Sequence, residues 1–451
     1  MSRIRTMQHG LASALQRASL ADDRELAGRV REEGHRFVFL LNGVVRTSRL
    51  YDAGNAALSG PAAEAAAALR GLVELLGAVH VVCVEEHVYV NDVRLRVRPS
   101  EQPVIDAFVA ELARHNVGGI SFHASQPPEG LRALAVALAS PPAGAERARS
   151  ALAARLAHLS DVELTGRYRF RVKGERPAVR RSLVEAMERG AAVAAEAVAN
   201  LGAHRLPNPL PVRRAVIDLV HAVREDAPRA AAASLRRRPP GAGDHHLLAV
   251  TNLALLLGEA LGLDDAALSD LGVAGMLHDV GYASSGREGH EVAGFRTLLR
   301  QRGFHEGKVR RLLATLEHHR AFEGELPSLF ARILKIVDDY EVLTRTGAQG
   351  PPGLPPPTAQ GAMWAARGTA YDPDLLALFV QLMGAYPPGS LLELSDGRWA
   401  VSVSGGRDPD HFAWPVVRVV RQADGSQAGG EAPLDLSLGR DLVRPRRVLN
   451  P

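Results

Sequence analysis

The sequence predicts three successive architectures: an N-terminal α+β domain, a long all-helical domain, and a small C-terminal β appendage. Three observations carry this. β-branched runs with alternating polarity are concentrated in residues 81–97. From His246 to about Tyr386 the apolar residues recur at helical spacing. After Tyr386 short apolar runs return, divided by the turn signals Ser395-Asp396-Gly397 and Asp424-Gly425. A chain of 451 residues has room for two or three such domains.

Taken in order, residues 1–34 are charged and read as a polar tail or helix. Phe37 to Tyr51 reads as a helix with Arg46 and Arg49 toward water. Gly60-Pro61 reads as a break, and Ala62 to Leu76 is rich in strong helix formers. Val81 to Val84 and Val88 to Val90, separated by Glu85-Glu86-His87, signal a hairpin. Asn91-Asp92 marks a second turn. Val93, Leu95 and Val97 then alternate with Arg94, Arg96 and Arg98, as in a half-buried strand. Val104 to Arg114 returns to helical spacing, and Ile120 to His123 reads as one more strand. This α+β domain is expected over residues 35–160. It carries no chemical motif, and its amphipathic helices suit homodimerisation or sensing.

Residues 161–211 read as a basic connector. Arg167, Arg169, Arg171, Lys173, Arg176, Arg180 and Arg181 crowd it, and a solvated strand face leading into a helix explains them better than a nucleic-acid or phosphate patch. Ser182 to Leu201 is an Ala-rich helix. The stripe Val212, Val216, Leu219, Val220 and Val223 opens the helical domain, expected over 212–385. Gly347 to Pro357 is too Pro-rich for a helix. In the appendage, 386–451, Leu391 to Leu394, Trp399 to Val403 and Val416 to Val420 read as strands.

Composition excludes several function classes. With 54 basic against 50 acidic side chains the net charge is only +4, which argues against a large nucleic-acid face. Cys83 is the sole cysteine, so there is no internal disulfide, and the chain suits a reducing cytoplasm. No apolar run approaches the ~18–20 residues of a membrane span. Met1 to Arg17 lacks the apolar core of a signal peptide.

The chemistry is concentrated in the helical domain. His246, His278-Asp279, His290, His318-His319 and Asp338 are seven candidate metal ligands, several of them on otherwise apolar helices. Imidazole and carboxylate together suit Fe or Mn, with Zn or Ni as alternatives. An ionisable Asp338 among Ile333, Ile336 and Val337 must be paired or metal-bound to offset desolvation. Adjacent helical residues point about 100° apart, so His278 and Asp279 can serve two ions, and the two oxygens of Asp279 suit it to bridge them. His245 competes with His246, and Asp339 with Asp338. His204, His221 and His305 fall outside the pattern and are assigned to surface or packing.

This order resembles the HD superfamily of metal-dependent phosphohydrolases, and more narrowly its HD-GYP branch, which hydrolyses cyclic di-GMP in bacterial signalling. The resemblance covers about residues 212–385. His246 matches the first helix histidine, Leu277-His278-Asp279-Val280-Gly281 the Leu-His-Asp-Ile-Gly core, and His290 with Gly294 the His-Pro-x-x-Gly segment. His318-His319 match the paired histidines, and Arg332-Ile333 through Asp338-Asp339-Tyr340 match the last metal helix. The appendage, from Tyr386-Pro387-Pro388-Gly389, also looks like a tail found on such proteins. The resemblance implies a helical HD-type domain, two divalent ions, catalytic roles for His278 and Asp279, and a cyclic dinucleotide or other phosphoester as substrate. From the charge balance and the apolar run lengths, no membrane and no nucleic-acid partner are expected.

The departures are specific. Tyr282 stands where the family has a phosphate-binding Lys. Arg320-Ala321-Phe322 follows the paired histidines instead of Gly-Tyr-Pro. Two expected basic positions fall on Gly347 and Gly350. The segment between Asp279 and His290 is short, and Ala242 replaces an acid tied to a third metal. Arg287, Arg320 and Arg345 are the candidate replacements for the phosphate-binding cations, since Arg makes a planar fork for phosphate. The alternative to turnover is a degenerate HD-type module that senses a nucleotide or partner without hydrolysis.

Overall fold

The computed structural model describes residues 2–51, 55–84, 87–91, 93–144, 147–167, 183–203, 205–235, 245–300, 306–345, 353–405, 409–430, 432–439 and 442–449. Glu85, Glu86, Asp92, the basic residues from Arg169 to Arg181, His204, Ala242, His305, Gly347 and Gly350 lie outside them. The chain divides into two compact units, one built chiefly from residues 1–178 and the other from 179–202, 211–297 and 307–451. Among the described residues no helix is long and apolar enough to cross a membrane.

In the first unit, helix α1 runs unbroken over Ser2–Thr47, so the expected tail and the following helix are one element. Val30, Phe37, Leu41 and Val44 recur every three to four residues or a multiple of that and are buried, which is the spacing of one helical face. Helix α2 spans Ser59–Leu76 and buries Ala62, Ala65, Ala66, Leu69 and Leu72. Gly60-Pro61 therefore opens this helix rather than breaking it. A first-turn proline loses nothing, because its missing N–H would have had no intrahelical acceptor. Strands β1 (Val79–Val84), β2 (His87–Val90) and β3 (Val93–Arg94), helix α3 (Gln102–Arg114), strand β4 (Gly119–Phe122), helices α4 (Pro128–Ala139) and α5 (Ala148–Arg155), and strand β5 (Val162–Thr165) follow.

The strands form one antiparallel sheet in the order β3-β2-β1-β4-β5. Its central strand, β1, is buried along its whole length. Val79, Val81 and Cys83 join the main core, while Val82 and Val84 pack with Tyr89 and Leu210 on the opposite face. Two expectations need correction. The strand expected through Val97 spans only Val93–Arg94, with one further backbone bond from Leu95 N–H to the Val88 carbonyl at 2.9 Å. The sheet also continues past residue 160, where Val162 pairs with Phe122 and Thr165 with Gly119.

The second unit contains α6 (Leu183–Gly202), α7 (Pro209–Glu225), α8 (Ala227–Ser234), α9 (His245–Ala260), α10 (Asp265–Leu277), α11 (Tyr282–Ser285), α12 (His290–Leu299), α13 (Glu306–Glu317), α14 (Leu329–Thr344), α15 (Pro356–Ala365) and α16 (Pro373–Met383). Helix α9 is buried without interruption from Leu247 to Gly258, as expected for a helix apolar all round at the centre of a bundle. Asn252 inside it donates to the Ala230 carbonyl at 2.7 Å and to Ser234 Oγ at 2.6 Å, tying α8 to α9. Gly275 lets α10 approach α9 closely, since a Cβ there would lie 3.0 Å from Thr251 Cα. Pro356-Pro357 forms the first turn of α15, again a permitted place for proline.

The appendage is a second antiparallel sheet, β10-β6-β7-β8-β9, built from β6 (Leu391–Leu394), β7 (Trp399–Ser402), β8 (Val416–Arg421), β9 (Leu434–Asp435) and β10 (Pro445–Val448). Its small core is Leu392, Leu394, Ala400, Val417, Val419 and Leu436. Strands β9 and β10 were not expected. β10 pairs beside β6, with Pro445 opposite Leu394 and Arg446 and Arg447 bound to Glu393.

Candidate metal centre

Five helices deliver the seven candidate side chains to one place. His246 sits on the first turn of α9, His278 caps the C-terminus of α10 with Asp279 next to it, and His290 begins α12. His318-His319 follow α13, and Asp338 lies on the buried face of α14. His278 and His318 are fully buried, His290 and Asp338 nearly so, and His319 is 37% exposed.

Asp279 lies at the middle. Its Oδ2 is 3.3 Å from His246 Nε2 and 3.4 Å from His278 Nε2. Its Oδ1 is 3.2 Å from His290 Nε2 and 3.5 Å from His318 Nε2. One carboxylate thus faces two histidine pairs, one with each oxygen. Asp338 joins the first pair through Oδ1, 3.2 Å from His246 Nε2. His319 stands with the second, its ring centroid 4.1 Å from that of His318. The candidate ligand atoms of Asp279, His290, His318 and His319 all lie within 4.8 Å of one another, as do those of His246, His278 and Asp338.

Hydrogen bonds behind the rings fix which nitrogen faces inward. Nδ1 of His278 donates to the Gly275 carbonyl, Nδ1 of His290 to the Arg287 carbonyl and Nδ1 of His318 to the Thr315 carbonyl, each at 2.8 Å. Nδ1 of His246 donates to Glu341 Oε2 at 2.7 Å. A carbonyl or carboxylate only accepts, so Nδ1 carries a proton in all four rings; in His278, His290 and His318 this leaves the Nε2 lone pair facing inward, and in His246 Nε2 faces inward and is free to ligate once its own proton leaves, the arrangement of metal-ligating histidines.

Two observations fit these residues to cations. His290 Nε2 and His318 Nε2 stand 3.3 Å apart with no proton required on either, a repulsive contact unless a positive charge adjoins it. His278 Nε2, Asp279 Oδ1 and Asp338 Oδ1 are buried without a hydrogen-bond partner, a costly state for polar atoms. The proton affinities agree. Burial works against a charge on His246, but Asp279, Asp338 and Glu341 outweigh it and push its pKa up to about 11. Burial holds His278 down to about 4. Burial would raise Asp279, yet His278, His246 and His318 hold its carboxyl far below the usual range. Carboxylates that retain a proton on His246 so strongly would retain a divalent cation in its place, with release of the proton.

Two partners were missed in the sequence. Glu341 is one; its signal was an acid three positions after Asp338 on a helix otherwise apolar on that face. Tyr282 is another; its ring stacks on His290 with centroids 4.1 Å apart and planes at 30°. Asp339 is turned aside, bound by Lys335 Nζ at 2.9 Å and the Tyr371 hydroxyl at 2.8 Å, though it lies within 4.8 Å of His319 and Asp338 ligand atoms. Among the candidate cations, Arg320 lies 3.6 Å from Glu317 and 3.7 Å from Glu325, and Arg345 lies 3.7 Å from Glu341. Arg287 is exposed. His221 is exposed and outside the cluster.

The family model of the HD domain matches residues 243–343, the stretch holding all seven side chains. The chain carries an HD domain. It is HD-GYP-like in the order of its histidines and aspartates. A curated relative, a cyclic di-GMP phosphodiesterase of Pseudomonas aeruginosa, is 29% identical over 189 residues, spanning 35% of this chain and 43% of the relative. The match therefore covers less than half of that protein. Among solved structures, an HDG"Y"P protein from Bdellovibrio bacteriovorus superposes with a TM-score of 0.38 at 12% identity, covering 68% of this chain and 94% of the other.

Proposed function

We propose that the HD domain is a metal-dependent phosphohydrolase acting on a phosphodiester, with cyclic di-GMP the first substrate to test. The observation that carries this is the placing of the two Asp279 oxygens, one toward His246 and His278, the other toward His290 and His318. His246, His278, Asp279 and Asp338 would hold one divalent ion, and Asp279, His290, His318 and His319 a second, with Fe or Mn suiting the donor set best. Two such ions, when bound, supply an acidified water and polarise the phosphoryl oxygens. The chain's own residues do the rest. Glu341 and the Gly275, Arg287 and Thr315 carbonyls aim the imidazoles. The buried walls of α9, α10 and α14 keep bulk water from the cluster's inner side. His319 and Tyr282, both partly exposed, mark the side from which substrate enters.

A second reading, a nucleotide-sensing module without turnover, draws on the engagement of Arg320 and Arg345 by carboxylates. The deciding experiment measures metal content and cyclic di-GMP hydrolysis for the wild type beside Asp279→Ala. About two equivalents of metal, with linear product from the wild type alone, is the expected result. Product from the variant would overturn the proposal. Metal without product would leave the sensing module.

A further inference from the structure

The cations around the cluster are nearly all engaged. Arg320 has Glu317 and Glu325, Arg345 has Glu341, Lys335 has Asp339, and Arg332 is bound to Asp372. Arg287 differs: it is exposed, and it has no carboxylate partner among the described residues. Its backbone, in contrast, is fixed. Gly286 and Gly289 bracket the dipeptide Arg287-Glu288 at φ 66° and 71°, conformations that suit glycine. The Arg287 carbonyl accepts the Nδ1–H of His290 at 2.8 Å. The guanidinium therefore leaves from a point tied to a candidate ligand.

Tyr282 is tied to the same histidine from another side. Its ring stacks on His290, yet it remains 41% exposed. Its hydroxyl has no hydrogen-bond partner among the described residues. A phenol keeps its proton at neutral pH, so this hydroxyl is an O–H donor.

We propose that Tyr282 and Arg287 together grip the non-bridging oxygens of the substrate's phosphodiester, the phenol with one O–H and the guanidinium with its planar fork of N–H donors. This rests on the phosphohydrolase reading and deepens it by naming what holds the substrate. The pair acts through contact with substrate and leaves the ligand set intact.

The test compares metal-replete wild type with Tyr282→Phe, Tyr282→Ala, Arg287→Ala and Arg287→Lys. Metal content, calorimetric binding of cyclic di-GMP, and steady-state hydrolysis of cyclic di-GMP and of bis(p-nitrophenyl) phosphate are measured on each. Tyr282→Phe keeps the ring on His290 and removes only the hydroxyl. It is expected to hold the full metal complement and bind roughly ten-fold more weakly, the size of one hydrogen bond to a charged group. Arg287→Ala is expected to lose roughly ten- to hundred-fold, and Arg287→Lys to recover only part, since an ammonium lacks the fork. The loss falls on the dissociation constant and KM more than on kcat. Tyr282→Phe and Arg287→Ala binding and turning over as wild type does would overturn the inference alone. So would an unchanged Tyr282→Phe beside a Tyr282→Ala that sheds metal, since Tyr282 would then only brace His290. A wild type that neither takes up metal nor binds the dinucleotide would overturn the phosphohydrolase reading and this inference with it.

Discussion

Gly281→Ala separates the role of backbone packing from that of the ligands themselves. Gly281 has an ordinary helical φ of −69°, so alanine causes no torsional conflict. Space is the obstacle. A Cβ at this position would lie 1.8 Å from the His290 carbonyl oxygen and 2.6 Å from the Gly294 nitrogen. The first distance is about 1.6 Å short of ordinary contact at 3.4 Å. Both neighbours are backbone, so no side chain can swing away, and the start of α12 must move outward by more than an ångström. His290 Nε2 is 3.2 Å from Asp279 Oδ1, and a displacement of that size dissolves the second half of the cluster. Overpacking costs about 1–3 kcal/mol in a yielding core, and a backbone collision belongs at the upper end. For a unit of this size that is a fall of roughly 6–12 °C in Tm. Metal analysis and calorimetry of purified Gly281→Ala should show about half the wild-type metal, with His246, His278 and Asp338 still holding their share. A variant with full metal content and an unshifted Tm would refute the argument that α11 and α12 set the position of His290.

Other expectations follow from the same geometry. Glu341→Gln removes the charge behind His246 and should weaken metal binding roughly 10–100-fold in chelator competition, with little change in fold; an unchanged affinity would deny Glu341 its orienting role. Asn252→Ala should destabilise the second unit by about 1–3 kcal/mol in urea unfolding, because the Ala230 carbonyl and Ser234 lose a buried donor. In the first unit His80 is buried, bonded to Ser121 Oγ at 2.8 Å, and held neutral down to about 3, chiefly by burial and then by His123. The unfolded chain binds a proton there below about 6.5 while the folded chain does not, so stability falls as pH drops through that value. Between pH 6.5 and 5 the loss is about 1.6 kcal/mol, readable as reduced amide-exchange protection of β1 and β4 after correction for intrinsic rates. His80→Asn should flatten the dependence, and a wild-type unit equally protected at both pH values would contradict it.

The candidate site was legible because ionisable side chains stood out against apolar helices. Asp338 among Ile333, Ile336 and Val337, and His278 after Ala274-Gly275-Met276-Leu277, have no comfortable place in a core without a partner. The helical domain and the two β-containing regions were legible from the change in hydrophobic period. What escaped has physical reasons too. Glu341 is an acid in a helix, where acids are common, and only the 2.7 Å contact with His246 distinguishes it. β5 is four residues long and half-buried throughout, so Val162-Glu163-Leu164-Thr165 gives little periodic signal. β10, Pro445-Arg446-Arg447-Val448, reads as a charged loop because its two arginines point to Glu393 rather than into a core. The strand expected through Val97 ends early: its last ladder bond runs from Leu95 N–H to the Val88 carbonyl at 2.9 Å. Proline misled twice, at Pro61 and at Pro356-Pro357, where it starts a helix instead of stopping one.

The strand order of the appendage also sets a schedule for its making. β6 can pair with β7 as soon as Trp399 to Ser402 have emerged from the ribosome, but its other edge waits for Pro445. At about 5–20 residues per second the wait lasts a few seconds, and throughout it Leu391 to Leu394 offer a bare row of backbone donors and acceptors to any passing strand. A nascent chain stalled between β9 and β10 would present that edge indefinitely. The late arrival of Arg446 and Arg447 closes the edge and at the same stroke gives Glu393 its counterions, so hydrogen bonding and charge neutralisation come within a few residues of synthesis.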